Sequence, residues 1–174
     1  GAGNVSVECS FTVAKGSSVE PAEDIIASLE IRSDNRRYPK EYIPVRVLEI
    51  NEINQAYDWA SSYIKKALKK DFTATGRDLD HMQKVIDGGK LNPRQTEVWQ
   101  ALGLTFGTIL VNEMDGMDWV TVIDGSEEYP ALRFADTDLV VAPLNLFADK
   151  VRRGEPCDVK KEFERIKNEV ERRL

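Results

Sequence analysis

The chain is short of the residues that most often carry chemistry. Its 174 residues include one histidine, His81, and two cysteines, Cys9 and Cys157. A single histidine leaves little room for a serine or cysteine triad, and no GxSxG turn supplies a nucleophile. The cysteines stand far apart without CxxC spacing, so neither a zinc site nor a dithiol is indicated; two ordinary thiols and a Cys9–Cys157 disulfide both stay open. Basic charge is also scarce. With 24 Lys and Arg against 30 Asp and Glu, the net charge of -6 argues against phosphate-backbone binding, so nucleic acid is not an expected partner. No apolar run approaches the roughly 20 residues that span a bilayer, so a soluble protein is expected. The first residues lack the pattern of a signal peptide. That favours the cytoplasm and leaves export open if a leader precedes Gly1. No glycine-rich loop joins a strand to a helix start, and no cofactor or metal is implied.

What is present reads as an ordinary globular chain, 41% hydrophobic and 31% charged, long enough to bury a core without staples. Residues 5 to 13 alternate, with Val5, Val7, Cys9, Phe11 and Val13 on one face and Ser6, Glu8, Ser10 and Thr12 on the other, the pattern of a half-buried strand. Ile25 to Ile31 fits a short helix or a second strand. Ser33 to Tyr42 reads as a polar loop, and Val45, Val47 and Ile50 suggest another short strand. Residues 1–50 are therefore expected to form an extension with β-strands, and residues 51–174 a single α+β domain.

From Asn51 the period becomes helical: Ile53, Ala56, Tyr57, Ala60, Tyr63, Ile64, Ala67 and Leu68 recur on one face. Lys65, Lys66, Lys69 and Lys70 gather where the dipole favours cations. Leu79, Met82, Val85 and Ile86 mark a second helix, stopped by Gly88-Gly89. Asn92-Pro93-Arg94-Gln95 has the make-up of an N-cap, a first-turn proline and a capping-box residue, so the third helix is expected to start there and run to about Asn112. Within it lie Gly103 and Gly107, each costing about 1 kcal/mol relative to alanine. A cost of that size implies that something approaches the helix too closely for a side chain. The expected partner is the Trp119 strand rather than a ligand.

Trp119–Ile123, Ala131–Phe134 and Leu139–Val141, separated by Asp124-Gly125-Ser126 and Asp136-Thr137-Asp138, read as a three-stranded antiparallel meander. Because Trp119–Ile123 is almost continuously apolar, that strand is expected to be covered on both faces. Pro143 opens a helix with Leu144, Phe147 and Val151. The last helix carries Val159, Phe163, Ile166 and Val170 as a narrow seam, which suits docking on the domain or pairing with a second copy.

The ordered series Asp78-Leu79, Gln83, Asp87-Gly88, Leu102-Gly103, Phe106-Gly107, Trp119 and Pro130-Ala131-Leu132-Arg133 continues through Pro143, Lys150-Val151, Arg153-Gly154-Glu155 and Asp158-Val159. In this order it resembles a bacterial domain-of-unknown-function family, number 3806, over roughly residues 53–166. The resemblance implies a shared fold and brings no activity or catalytic residues with it.

Candidate chemistry is sparse. His81 beside Asp78 and Asp80 suits a metal or proton carrier, or simply an acidic first helical turn. Cys157 with His81 is a conceivable nucleophile and base. Asp115, Asp118, Asp124, Glu127 and Glu128 would suit a hard cation or solvated turns, and Glu127 and Glu128 with Asp136 and Asp138 would suit paired-carboxylate hydrolysis. Arg133, Lys150, Arg152 and Arg153 could converge on an anion or acidic segment, or pair with local carboxylates. The preferred expectation is a non-catalytic binding or protein-interaction module for a protein or small ligand. The alternatives are a hydrolase using carboxylates or a divalent metal, and a homodimer through the last helix.

Overall fold

Helical periodicity and apolar runs bounded by turn residues produce, among the described residues, five helices and four strands. The computed structural model describes residues 39–174. In chain order these are β1 (Glu41–Pro44), α1 (Val47–Leu68), α2 (Asp78–Asp87), α3 (Thr96–Glu113), β2 (Met117–Asp124), β3 (Glu127–Phe134), β4 (Val140–Val141), α4 (Leu146–Arg152) and α5 (Val159–Glu171). The strands form one antiparallel sheet in the order β1-β2-β3-β4. The α+β class and the meander are as the sequence implies, with β1 added as a fourth strand. The strand expected over residues 5–13, the element over 25–31 and Cys9 lie outside the described residues.

Several boundaries differ from the sequence reading: β2 starts at Met117, β3 at Glu127 and α4 at Leu146, and larger differences fall at β1, α1 and the start of α3. The strand expected at Val45, Val47 and Ile50 is instead β1, which takes Glu41 and Tyr42 from the expected loop. Helix α1 has already begun at Val47, four residues before the change of period at Asn51. Pairing across the chain decides this: Glu41 to Pro44 lie opposite Ile123 to Val120. The α1 start is then tied to β2, because Thr121 Oγ1 accepts from the Arg46 amide at 3.2 Å and donates to the Glu49 carboxylate. At Asn92 the side chain accepts from the Arg94 amide at 2.8 Å, forming an Asx turn, and the helix itself starts only at Thr96. The expected N-cap is therefore a turn that delivers the chain to the helix.

Helix α3 is buried almost all round, from Val98 to Leu110 with Thr108 as the partial exception, as expected of a helix apolar on every side. It packs against α1, α4 and β2. Both glycines face close neighbours. A Cβ on Gly103 would lie 2.1 Å from Pro143 O and 3.1 Å from Leu144 O, whereas one on Gly107 would lie 2.6 Å from the edge of the Trp119 ring. The strand-to-helix link Pro143-Leu144 thus seats its backbone directly on α3, with Trp119 beside it. Neither glycine lines the cleft around Trp99 or the smaller cavity beside Trp119.

On β2, Thr121 and Val122 point to opposite sides of the sheet and both are fully buried. Its hairpin to β3 turns through Gly125-Ser126, with Gly125 at φ 66°, the conformation a two-residue loop of type II′ asks of its first residue. The α5 seam is occupied within the chain: Val159, Phe163, Ile166 and Val170 are buried in the main core and α5 packs on α2. A homodimer through that seam would need α5 to undock first. Arg173 adds a tie from the end of α5, 2.9 Å from both Asp138 and Glu169.

The glycine contacts yield a ranked prediction. Alanine at either position gains about 1 kcal/mol of helix propensity, but overpacking opposes it. Gly103→Ala strikes backbone and should cost about 3 kcal/mol net, and Gly107→Ala, which meets a side chain, about 1 to 2 kcal/mol. Urea unfolding of the two variants against the parent measures both values and their order.

Candidate functional site

Sequence places Gln83 on the exposed side of α2, one turn before its end, and the fold gives its amide three partners. Nε2 donates to Cys157 O at 2.9 Å and to Asp87 Oδ1 at 3.0 Å, and Oε1 accepts from the Val159 amide at 2.7 Å. Val159 is the first residue of α5, whose free amides need acceptors. Asp158 serves the Lys161 amide at 3.1 Å, so Gln83 and Asp158 together cap the helix. The effect is to hold the loop 154–158 against the C-terminal end of α2.

Between that loop, the end of α2 and the Asn92 turn lies a cleft of about 790 Å³. Its floor is apolar, with Ile86, Leu91, Trp99 and Val151. The Trp99 ring is held by its Nε1, which donates to Asn92 O at 3.1 Å. The rim is acidic: Asp87, Glu155 and Asp158 against a single cation, Lys160. Lys160 is 2.7 Å from Asp80, and Glu155 is taken by Arg153 at 3.0 Å. Among the described residues no cation lies within ion-pair distance of Asp87 or Asp158. The cleft's volume lies within the range of small-molecule clefts, and it is widely open to solvent. A second cavity of about 340 Å³ sits between α1, α3 and Trp119 and is lined mainly by Ile50, Ile53, Tyr57 and Thr108.

The residues singled out from sequence are dispersed and engaged. Arg133 stands on the sheet face opposite the helices, donates to Thr137 O and Asp136 O at 3.0 and 3.2 Å, and lies 4.8 Å from the centre of the Tyr42 ring. Lys150 is 3.4 Å from Glu162, and Arg152 is 2.6 Å from Asp149. With Arg153 on Glu155, each α4 cation has a carboxylate of its own. The hairpin carboxylates are likewise spread out: Asp124 pairs with Lys40, Glu128 with Arg46 and Asp138 with Arg173. Among the described residues no group of three or more His, Cys, Asp or Glu side chains is placed to hold a metal ion.

His81 has a structural task. Its Nδ1 lies 2.8 Å from Asp78 Oδ1, and Asp78 is wholly buried, accepting from the Thr73 and Thr75 amides at 2.8 and 3.2 Å. Burial works against the Asp78 charge, but hydrogen bonds from His81, Thr73 and Thr75 outweigh it and hold the carboxyl below its ordinary range. The pair thus fixes the loop that enters α2. Cys157 is a free, buried thiol pushed up to about 11 by burial, so it stays protonated at neutral pH and is a poor nucleophile.

Residues 78–163 match the family model described as Domain of unknown function (DUF3806). The chain carries a DUF3806-like domain. Residues 1–54 match a separate model, Domain of unknown function (DUF3805). The fold is similar to a crystal structure, at 1.50 Å resolution, of a protein from Bacteroides thetaiotaomicron VPI-5482, with 42% sequence identity and a TM-score of 0.69. The similarity covers 73% of this chain and 47% of that one, so the chain accounts for about half the length of its structural relative. No curated protein matches. The DUF3806 match opens at Asp78 and closes in α5, so it contains every wall of the cleft. Gln83, Asp87, Gly154, Glu155 and Asp158, which sequence supplies only as parts of an ordered series, all line it. Their sequence separation, with Gln83 bonded to residues 74 and 76 positions away, hides the site from a linear reading.

One carboxyl outside the cleft gives a pH test. Burial, with the neighbouring Glu49 charge, pushes Glu52 on α1 up to about 7. A carboxyl whose pKa is raised on folding costs no stability below the unfolded value, near 4.5, and its penalty grows as pH rises towards 7. Glu52→Gln should therefore melt higher than the parent at pH 8, and the gap should close below pH 4.5. Melting curves at pH 4, 6 and 8 check the direction.

Proposed function

We propose that the DUF3806-like domain is a non-catalytic interaction module whose cleft receives a partner segment carrying a lysine or arginine beside apolar residues. The observation that carries this reading is the cleft's composition, an apolar floor ending in Trp99 under an acidic rim where Asp87 has no cation within ion-pair distance among the described residues and Asp158 shares Lys160 with Asp80. An apolar stem with a cationic tip complements both parts, because long basic side chains bury their methylenes while the charge stays at the edge. The net charge of -6 would draw such a segment in.

The absence of catalysis in this reading has its own support. The free thiol Cys157 is buried and protonated, and among the described residues no nucleophile is hydrogen-bonded to His81. Lys150, Arg152 and Arg153, three of the four cations first considered as an anion receptor, are held by neighbouring carboxylates, which disfavours an acidic partner at α4.

The test uses two short peptides, leucine-lysine-proline with blocked ends and its glutamate counterpart, titrated into 15N-labelled protein. The lysine peptide should shift the Trp99 indole and the backbone signals of Ile86, Asp87 and Gly154, and Asp87→Asn should weaken it about tenfold, as for loss of one charged contact. Equal binding of the glutamate peptide, or shifts centred away from these residues, would reject the reading.

A further inference from the structure

The second cavity, about 340 Å³ between α1, α3 and Trp119, shares no lining residue with the cleft. Its apolar walls stand on rigid supports. Ile50 and Ile53 come from α1, and the Trp119 ring of β2 is seated edge-on against Gly107. The Tyr57 ring is fixed at its tip, because its hydroxyl donates to Phe72 O at 3.1 Å. Thr108 turns its hydroxyl back to Leu104 O at 3.3 Å, which leaves its methyl group as the free end of the side chain.

The remaining wall is the loop of Thr73 and Ala74, and it is firmly tied. Asp78 Oδ2 accepts from the Thr73 and Thr75 amides, Asn112 Nδ2 donates to Ala74 O at 2.9 Å, and Glu113 Oε2 accepts from the Gly76 amide at 2.7 Å. These ties hold Ala74, which lines the cavity, at φ 58°, a left-handed conformation that a residue with a side chain keeps only when its surroundings enforce it. The cavity is therefore formed before anything enters it, as ligand sites usually are.

Its polar groups are few and uncharged. No Asp, Glu, Lys, Arg or His lines it. Among the described residues the Asn54 carboxamide and the Trp119 indole N–H have no hydrogen-bond partner, and the Asn112 carboxamide spends a donor on Ala74 O while its oxygen stays available. We propose that this cavity is a second binding site, for a small uncharged molecule that carries an aromatic ring and a carboxamide. The ring contacts Trp119 and Tyr57, where aromatic packing adds to burial. The carboxamide pairs with Asn54, each group supplying one donor and one acceptor. A carboxylate in the same place would lose water and meet no cation. The site goes beyond the cleft reading and does not rest on it.

Benzamide and benzoate, equal in size and different in charge, test the site when titrated into the 15N-labelled chain. Benzamide should give saturable shifts of the Trp119 indole and the Asn54 side-chain amide, in the millimolar range expected of so small a molecule, while the Trp99 indole stays in place. Benzoate should leave all three unmoved. Asn54 is exposed on α1, so Asn54→Ala should keep the fold by circular dichroism and weaken benzamide about fivefold, as for loss of neutral hydrogen bonds. Absence of saturable benzamide shifts, equal binding of benzoate, undiminished binding to Asn54→Ala, or shifts centred on Trp99 would each overturn the proposal.

Discussion

The seating of the Pro143-Leu144 backbone on α3 is the contact on which the remaining structure depends. Pro143 O occupies space that any side chain at position 103 would need, and the Trp119 ring does the same at position 107. Two glycines in a helix interior weaken that helix locally, so the close approach has to contribute more than about 2 kcal/mol in packing to offset them. That contribution shows in the elements the contact positions. The link comes straight from β4 and goes straight into α4, so its position sets where the sheet lies against α3 and where Phe147 of α4 meets Phe106 of α3, ring centres 5.3 Å apart. Trp119 brings β2 to the same spot. The cleft depends on this arrangement indirectly, because Val151 on α4 and the loop after it form one of its walls.

Much of the architecture is legible in the sequence. Helix α1 is carried by a single amphipathic stripe from Ile53 to Ile64 that local periodicity reveals. The meander is marked by turn residues at both ends of its strands, and the two glycines are visible as a local rule broken inside a strong helix pattern. One feature that escapes a linear reading is decided by a distant partner and another by a local turn. Val47 and Ile50 have the composition of a strand, but Glu41–Pro44 has the partner, β2, some eighty residues away. Asn92-Pro93 has the composition of a helix start, and its side chain closes a turn instead. The family resemblance, read over residues 53–166, corresponds to a match over the narrower range 78–163.

The site is less legible than the fold, for reasons of charge and reach. Arg133, Lys150, Arg152 and Arg153 stand out in a linear reading because cations near a meander suggest an anion. In three dimensions each has an acceptor close at hand, and the exposed Arg153–Glu155 pair contributes little beyond local order. His81 stands out as the lone histidine and proves to steady a buried carboxylate. The residue that builds the cleft is a glutamine with no special neighbours in sequence. Its importance comes from satisfying two backbone groups and an aspartate at once, which no spacing rule anticipates. The signal present is the ordered series from Gln83 to Asp158, several of whose members the fold gathers around the cleft without the series saying why.

If the Pro143-Leu144 seat is the contact that organises the fold, the α3 amides beneath it should open only when the whole domain unfolds. Native-state hydrogen exchange as a function of low denaturant measures this directly. Leu102, Leu104 and Phe106 should exchange with the free energy and denaturant dependence of global unfolding, no lower than Ile64 of α1. Exchange of those three amides through a smaller, local opening while α1 stays protected would contradict the organising role of the seat.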